Sequence, residues 1–159
     1  GRLVDERSIV NAMVALLADI YPDKALAPPP GSFTPERADY LQMLHFGASW
    51  VDMVLWQLRL HRDLFSPGER DDRTIERYMQ KFRSEIEPQL KSRLEREPYI
   101  LGPTFSAVDC VMGHNVMWAR LYGLCADDCF SGYLDRLAGR SAWQAAFADR
   151  DQFSLRPAR

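Results

Sequence analysis

The sequence predicts an all-α protein. Over several long segments the apolar residues recur at three-to-four spacing, which is typical of helices packed on one face. Start and stop signals separate these segments, among them Thr34-Pro35 and Ser66-Pro67-Gly68. No segment has the clean alternation of a half-buried strand, and only the opening "GRLVDE" resembles the end of one.

Length and composition fit an ordinary globular chain. Its 159 residues, 47% hydrophobic and 26% charged, suffice for one core, or for one domain plus a piece of another. The net charge is −2, and Lys and Arg are scattered rather than clustered, so no nucleic-acid partner is expected. No apolar stretch approaches the ~20 residues of a membrane-spanning helix, so no membrane partner is expected either.

The three cysteines, Cys110, Cys125 and Cys129, are an odd number in a chain too large to depend on disulfides. This favours reduced thiols and a cytoplasmic location. Cys125 and Cys129 together with His114 fit no established zinc spacing, so no metal site is predicted. We expect His45, His61 and His114 to be structural or surface residues, because none has a partner at catalytic spacing.

The first predicted helix is "SIVNAMVALLADIY", whose apolar stripe includes Met13, Leu16 and Ile20. It ends at Pro22, and the proline-rich "DKALAPPPGS" that follows predicts a stiff, extended connector. Such a connector is typical of a domain boundary.

The second predicted helix begins at Thr34, a suitable N-cap, followed by Pro35 at the first helical position. From residue 40 to residue 60 it is apolar on more than one face, which indicates a central helix covered from several directions. We expect it to end before Ser66.

The later segments also read as helices. "DDRTIERYMQKFRSEIEPQLKSRLERE" predicts a surface helix with one buried stripe, which Pro88 should kink. Two shorter helices are expected at residues 130–137 and 141–147, and the tail "DQFSLRPAR" should lie along the surface.

The segment "YILGPTFSAVDCVMGHN" predicts a firmly started helix, because Ser106 and Asp109 form a capping box. The apolar residues that follow cover more than half of the helix, so its first amides would otherwise be buried without partners. Replacing Ser106 should therefore cost about 1 kcal/mol or more. We interpret this pair as structural rather than catalytic.

The motifs "YILGPTFSAVDCVMG", "WARLYG" and "YLDRLAGRSAWQAAFAD" resemble the C-terminal helical domain of the cytosolic glutathione transferases. Val108 replaces the family's usual alanine, and Ser141 its usual proline. Upstream, "LLADIYPDKALAPPPGS" and "PERADYLQMLHF" are similar to the family's last thioredoxin-domain helix, its linker and its first all-α helix. The resemblance spans essentially the whole chain.

The resemblance implies a glutathione-transferase C-terminal-like helical bundle, preceded by a remnant helix of a thioredoxin-like domain. Residues 1–23 would be the remnant of that glutathione-binding domain, 24–33 the interdomain linker and 34–159 the all-α domain. Because the chain begins at Gly1 rather than Met, we expect a fragment, inactive alone, whose catalytic Tyr, Ser or Cys lies upstream. Leu16, Leu17 and Ile20 would then be left exposed.

The family's Glu-Ser motif, which holds the γ-glutamyl carboxylate of glutathione at a helix N-terminus, has two registers here. From the front it falls on Glu6 with Ser8 one place late, and these are the predicted glutathione-binding residues. Counted back from "LADIYP" it falls on Ile9 and Val10, which cannot bind a carboxylate. The alternative is that Asp5, Glu6 and Ser8 only cap the helix.

The resemblance also places a hydrophobic substrate pocket on the first all-α helix and on the helix after the capping box. Its predicted lining is Met43, Phe46, Trp50, Trp118 and Tyr122. Each of these residues taken singly is more often plain core than ligand contact.

The expected function is therefore that of a detoxifying transferase that joins the thiol of glutathione, its co-substrate, to a small apolar electrophile. In its full-length form it would be a homodimer. A non-catalytic dimerisation or docking module of the same family is the alternative, and the family also includes glutathione-dependent isomerases and dehalogenases. A Tyr, Ser or Cys at the end of the upstream first strand would favour the enzyme.

Overall fold

The computed structural model describes residues 6–31 and 33–148, with side chains from residue 10 onward, and every regular element within this part is helical. The β pairing in the described residues is an isolated bridge between Tyr99 and Gly102, where Gly102 has a φ of 141° that favours glycine. The all-α prediction is confirmed. The predicted strand end at residues 1–5 and the tail from residue 149 lie outside the described residues.

The first helix, α1, spans Glu6–Ile20, and a single 3₁₀ turn at Pro22–Lys24 follows it. One face of α1 is open to solvent, with about half of each apolar side chain exposed: Val10, Met13, Leu16, Leu17 and Ile20. Arg37 fixes the connector, because its guanidinium bonds both Asp19 at the end of α1 (2.8 Å) and the carbonyl of Pro28 (2.8 Å).

The central rod is one helical run of four parts: α2 (Pro35–His45), a π-helical turn (Phe46–Val51), α3 (Asp52–Arg59) and a second π turn (Leu60–Leu64). The Thr34 hydroxyl caps it by accepting the N–H of Arg37 at 3.3 Å. The sequence predicted this start, the end before Ser66 and the buried position. It did not predict the π turns, each of which adds one residue to a helical turn.

The next helix is also interrupted. α4 spans Asp72–Lys81, a π turn spans Phe82–Ile86, and α5 spans Glu87–Leu94. The disturbance predicted at Pro88 therefore lies just before the proline, which occupies the first turn of α5. The predicted buried stripe is present, since Phe82, Ile86, Leu90 and Leu94 are buried.

α6 (Ala107–Arg120) is the centre of the bundle and contacts α1, α2, α3, the first π turn and α7. Two shorter helices complete the described part, α7 (Asp128–Ala138) and α8 (Ser141–Ala146), close to the predicted bounds. Leu121, which directly follows the end of α6, is 78% exposed.

The capping box of α6 is part of a larger buried network around Asp109, which is 1% exposed. One carboxylate oxygen accepts the backbone N–H (2.8 Å) and the hydroxyl (3.0 Å) of Ser106. The other accepts the N–H of Ile100 (3.1 Å) and the hydroxyl of Tyr133 on α7 (3.0 Å). Burial raises the pKa of the Asp109 carboxyl, and these four hydrogen bonds oppose that shift.

A cavity and a groove beside the first helix

Two spaces open where α1 crosses the rod. The larger is a groove of about 710 Å³ between α1 and the rod, and the smaller is a cavity of about 320 Å³ between α1, the first π turn and α6. Both volumes lie within the range of about 300–1,000 Å³ that is usual for small-molecule sites.

The groove has mixed walls. α1 contributes Asn11, Ala12 and Ala15. The rod contributes both apolar and polar side chains: Leu41, Leu44, His45, Ala48, Ser49, Asp52, Met53 and Trp56. The Ser49 hydroxyl donates to the carbonyl of His45 at 2.6 Å, as serines inside helices commonly do. The groove therefore offers an imidazole, an amide and a carboxylate beside an indole ring.

The cavity is more apolar. Its walls are Val10, Asn11 and Val14 from α1, Gly47, Ala48 and Asp52 from the rod, and Cys110, Val111, His114 and Asn115 from α6. Desolvation of the Cys110 sulfur and the neighbouring Asp109 both raise the pKa of this thiol. The thiol is thus protonated at neutral pH and is a poor nucleophile.

Asn11, Ala48 and Asp52 line both spaces, so they form the wall between the groove and the cavity. Two of the three lie in or directly after the first π turn. This turn touches α1 on one side and α6 on the other, and its geometry therefore sets the shape of both spaces.

The π turn approaches α6 most closely at Gly47. A Cβ atom there would lie 3.0 Å from both Met112 Cε and Val111 Cγ1, closer than ordinary packing allows. The carbonyl of Gly47 accepts two hydrogen bonds, one from the N–H of Asp52 within the π turn and one from Nδ2 of Asn115 at 2.9 Å.

The five predicted pocket residues lie elsewhere. Met43 is in the core, Phe46 packs against it, and Trp50 is 38% exposed with the Lys81 ammonium 4.5 Å from its ring centroid. None of these three lines the groove or the cavity as described above.

Trp118 and Tyr122 form a hydrogen-bonded chain at the other end of α6. The Trp118 indole donates to the Tyr122 hydroxyl at 3.4 Å, and that hydroxyl donates to Asp63 at 2.7 Å. Burial raises the pKa of the Tyr122 phenol. Neither residue lines the two spaces, and the assignment of all five residues to a substrate pocket stays a prediction.

The other predicted site residues are placed as follows. Glu6 and Ser8 belong to the first turns of the α1 backbone, and their side chains lie outside the described part, so their predicted role is untested. His45 and His114, expected to be structural or surface residues, line the groove and the cavity respectively. Within the described residues, no group of three His, Cys, Asp or Glu side chains is arranged to hold a metal ion.

Sequence reasoning missed the residues of the dividing wall and the amide of Asn115. The sequence did contain a signal for Asp52 and for Asn115, because each is a polar residue within an otherwise apolar helical segment. Polar residues in such positions are buried only when they have partners. Their partners could not be inferred, since Asn115 and Gly47 are 68 positions apart in the chain.

No known family model matches the sequence, and no curated protein sequence matches it either. Solved structures do match. BphK, a bacterial glutathione transferase solved as a ternary complex, is 28% identical, with a TM-score of 0.74 over 95% of this chain and 70% of BphK.

Two fungal structures share the same fold. The glutathione transferase URE2P6 from Phanerochaete chrysosporium, in complex with oxidized glutathione, is 22% identical, with a TM-score of 0.76 over 91% of this chain and 66% of its own. Ure2p5 from the same fungus, cocrystallized with 1-(S-glutathionyl)-2,4-dinitrobenzene, is 19% identical, with a TM-score of 0.70 over 94% of this chain and 70% of its own. This chain therefore spans about two thirds of the length of the structures it matches. Among the described helices, none has the length and hydropathy needed to cross a membrane.

Proposed function

The chain belongs to the glutathione transferase superfamily, and from this premise we propose that it forms the electrophile-binding part of a glutathione transferase-like enzyme. The reaction would join the thiol sulfur of glutathione to an apolar electrophile. The S–H proton is lost, the sulfur forms a bond to carbon, and a leaving group departs with the electron pair of the bond that breaks. In this proposal the catalytic work of the chain is to bind the electrophile and to exclude water around it.

The observation that carries the proposal is the cavity between α1, the π turn and α6. Val10, Val14 and Val111 give it an apolar wall. Desolvation raises the pKa of Cys110, the thiol that lines the cavity. A site with this chemistry receives an apolar group. In the proposed reaction the nucleophile is the thiol of the co-substrate, which glutathione would provide.

The division of the chain that goes with this function is also a proposal. Residues 1–23 would belong to the thioredoxin-like, glutathione-binding domain, 24–33 would be the linker and 34–159 the all-α domain. The exposed apolar face of α1, formed by Val10, Met13, Leu16, Leu17 and Ile20, would pack against the sheet of that first domain. The residue that activates the thiol would lie in that domain, outside this sequence.

The smaller cavity is therefore proposed in place of the pocket predicted from the resemblance, and one titration separates the two. We would add 1-(S-glutathionyl)-2,4-dinitrobenzene, up to about 1 mM, to the ¹⁵N-labelled chain and follow the backbone amides. The proposal expects the largest shifts at Val14, Ala48 and Val111. Shifts centred on Trp118 and Tyr122 would support the other pocket, and no shift at all would contradict electrophile binding by this chain.

A pair of matched variants tests the cavity itself. Ala48→Phe places a ring in the wall shared by the groove and the cavity, and should weaken binding of the dinitrobenzene adduct by about tenfold or more. Ala146→Phe makes the same change on exposed α8 and should leave the affinity unchanged. Equal affinities in the two variants would mean that the ligand does not occupy this cavity.

A further inference from the structure

The buried amide of Asn115 calls for an explanation. Among the buried polar residues of the described part, Ser106 and Asp109 belong to the cap of α6, whereas Asn115 lies two turns further along the helix and is 2% exposed. Asparagine is a poor residue for the interior of a helix, and its amide is costly to bury. Its hydrogen bond to the Gly47 carbonyl offsets that cost and joins α6 to the π turn.

The π turn determines which side chains of the rod face the groove. Leu41 and Met53 are twelve residues apart, as are Leu44 and Trp56, and all four line the same groove. Twelve residues advance a regular α-helix by three turns and about 120°, which would turn Met53 and Trp56 well away from Leu41 and Leu44. The extra residue of the π turn takes up about 100° of that rotation, leaving about 20°. The turn therefore aligns the two halves of the rod into one continuous wall.

We propose that Asn115 is a positioning residue for the substrate site: its side-chain amide holds the π turn at Phe46–Val51, and through it the wall formed by Ala48 and Asp52. Its effect on a ligand rests on the function proposed above, whereas its effect on the π turn does not. The geometry that supports it is the 2.9 Å bond, the close approach of Gly47 to Met112, and the position of the turn between the two spaces.

The simpler alternative is that Asn115 only stabilises the bundle, like any other satisfied buried polar group. The two ideas differ in where the loss of the hydrogen bond is felt. A general loss of stability increases the hydrogen-exchange rate of all core amides together. Loss of a hydrogen bond that holds the π turn increases the exchange rate in that turn more than elsewhere. Tyr133→Phe provides the comparison, because it removes one buried hydrogen bond to Asp109 and touches neither the groove nor the cavity.

The experiment measures native-state amide hydrogen exchange in the ligand-free chain, for wild type, Asn115→Leu and Tyr133→Phe. Leucine is close to asparagine in size and cannot donate. We expect hydrogen exchange at the amides of residues 48–53 to rise about tenfold more in Asn115→Leu than in Tyr133→Phe. Exchange in α4 and α5 should change by the same amount in the two variants. An equal rise in both variants would overturn the proposal.

Binding of 1-(S-glutathionyl)-2,4-dinitrobenzene is the second readout, and its affinity should fall several-fold in Asn115→Leu but not in Tyr133→Phe. Because Asn115 itself lines the cavity, the exchange result, and not this affinity, decides whether it acts through the π turn. If wild type does not bind the adduct, the proposed function fails while the exchange result still decides the role of Asn115. If Asn115→Leu does not fold, Asn115→Ala takes its place in the comparison with Tyr133→Phe, and an equal rise of exchange in both variants would again overturn the proposal. Exchange of the Asn115 Nδ2 protons at the rate of a free amide in wild type would also refute it.

Discussion

The network around Asp109 makes the sharpest energetic prediction. The Asp109→Ala substitution leaves four donors without their acceptor: the N–H groups of Ile100 and Ser106 and the hydroxyls of Ser106 and Tyr133. The hydroxyls can rotate, but the two backbone groups are fixed, and each buried donor left unpaired costs about 1–3 kcal/mol. Removal of a carboxyl whose pKa is raised by burial recovers part of this. We expect a net loss of about 3–4 kcal/mol, a large share of the ~5–15 kcal/mol that stabilises a typical domain.

A graded series tests this reasoning better than one variant. Asp109→Asn keeps the shape and one acceptor oxygen, so it should cost about 2 kcal/mol, and Tyr133→Phe, which removes one donor, about 1 kcal/mol. Asp135→Ala, on the exposed side of α7, should change stability by less than about 0.5 kcal/mol.

Urea denaturation, followed by circular dichroism and by tryptophan fluorescence, measures the series. At a typical urea slope, the Asp109→Ala midpoint should fall by about 1.5 M with the slope unchanged. The reasoning would be refuted if Asp109→Asn were as costly as Asp109→Ala, since acceptor count would then not govern the effect. It would also fail if all the buried variants matched Asp135→Ala.

Two further predictions concern packing and pH. Gly113→Ala puts a Cβ 2.5 Å from Cδ1 of the buried Leu137, so overpacking should outweigh the gain in helix propensity and destabilise the protein by about 1–2 kcal/mol. In a double-mutant cycle, Leu137→Ala should relieve part of that cost. Purely additive effects of the two substitutions would contradict the contact. The pKa of Asp109 is raised above 3.8, so its contribution is fully present below the unfolded-state pKa and is lost as pH rises through the folded-state pKa. The stability advantage of wild type over Asp109→Asn should accordingly be larger at about pH 3.5, below the unfolded-state pKa, than at about pH 7. Urea titrations at both pH values will check this, and a smaller advantage at the lower pH would reverse the assigned sign.

Much of the architecture was predictable because its signals are local. The Thr34-Pro35 start of the rod and the capping box at Ser106 are each encoded within four residues, and both are present. The partners of Asp109 beyond Ser106 were not predictable, because the hydroxyl of Tyr133 comes from another helix. The same holds for the groove and the cavity, whose walls depend on how α1 crosses the rod.

The first π turn is the feature of the rod that periodicity alone did not predict. Tyr40 and Leu58 are eighteen residues apart, five full turns of a regular helix, so the buried positions between them keep one phase in the sequence. In the structure the π turn rotates α3 by about 100° relative to that phase, so this set of residues does not face in one direction. α2 packs against α6, whereas α3 packs against α4 as well as α6. A single extra residue thereby redirects the buried face towards a second helix and aligns the groove wall from Leu41 to Trp56. A mutation that returned the turn to regular α-helix should consequently disturb the core and the proposed site together, and Asn115 is the side chain placed to prevent it.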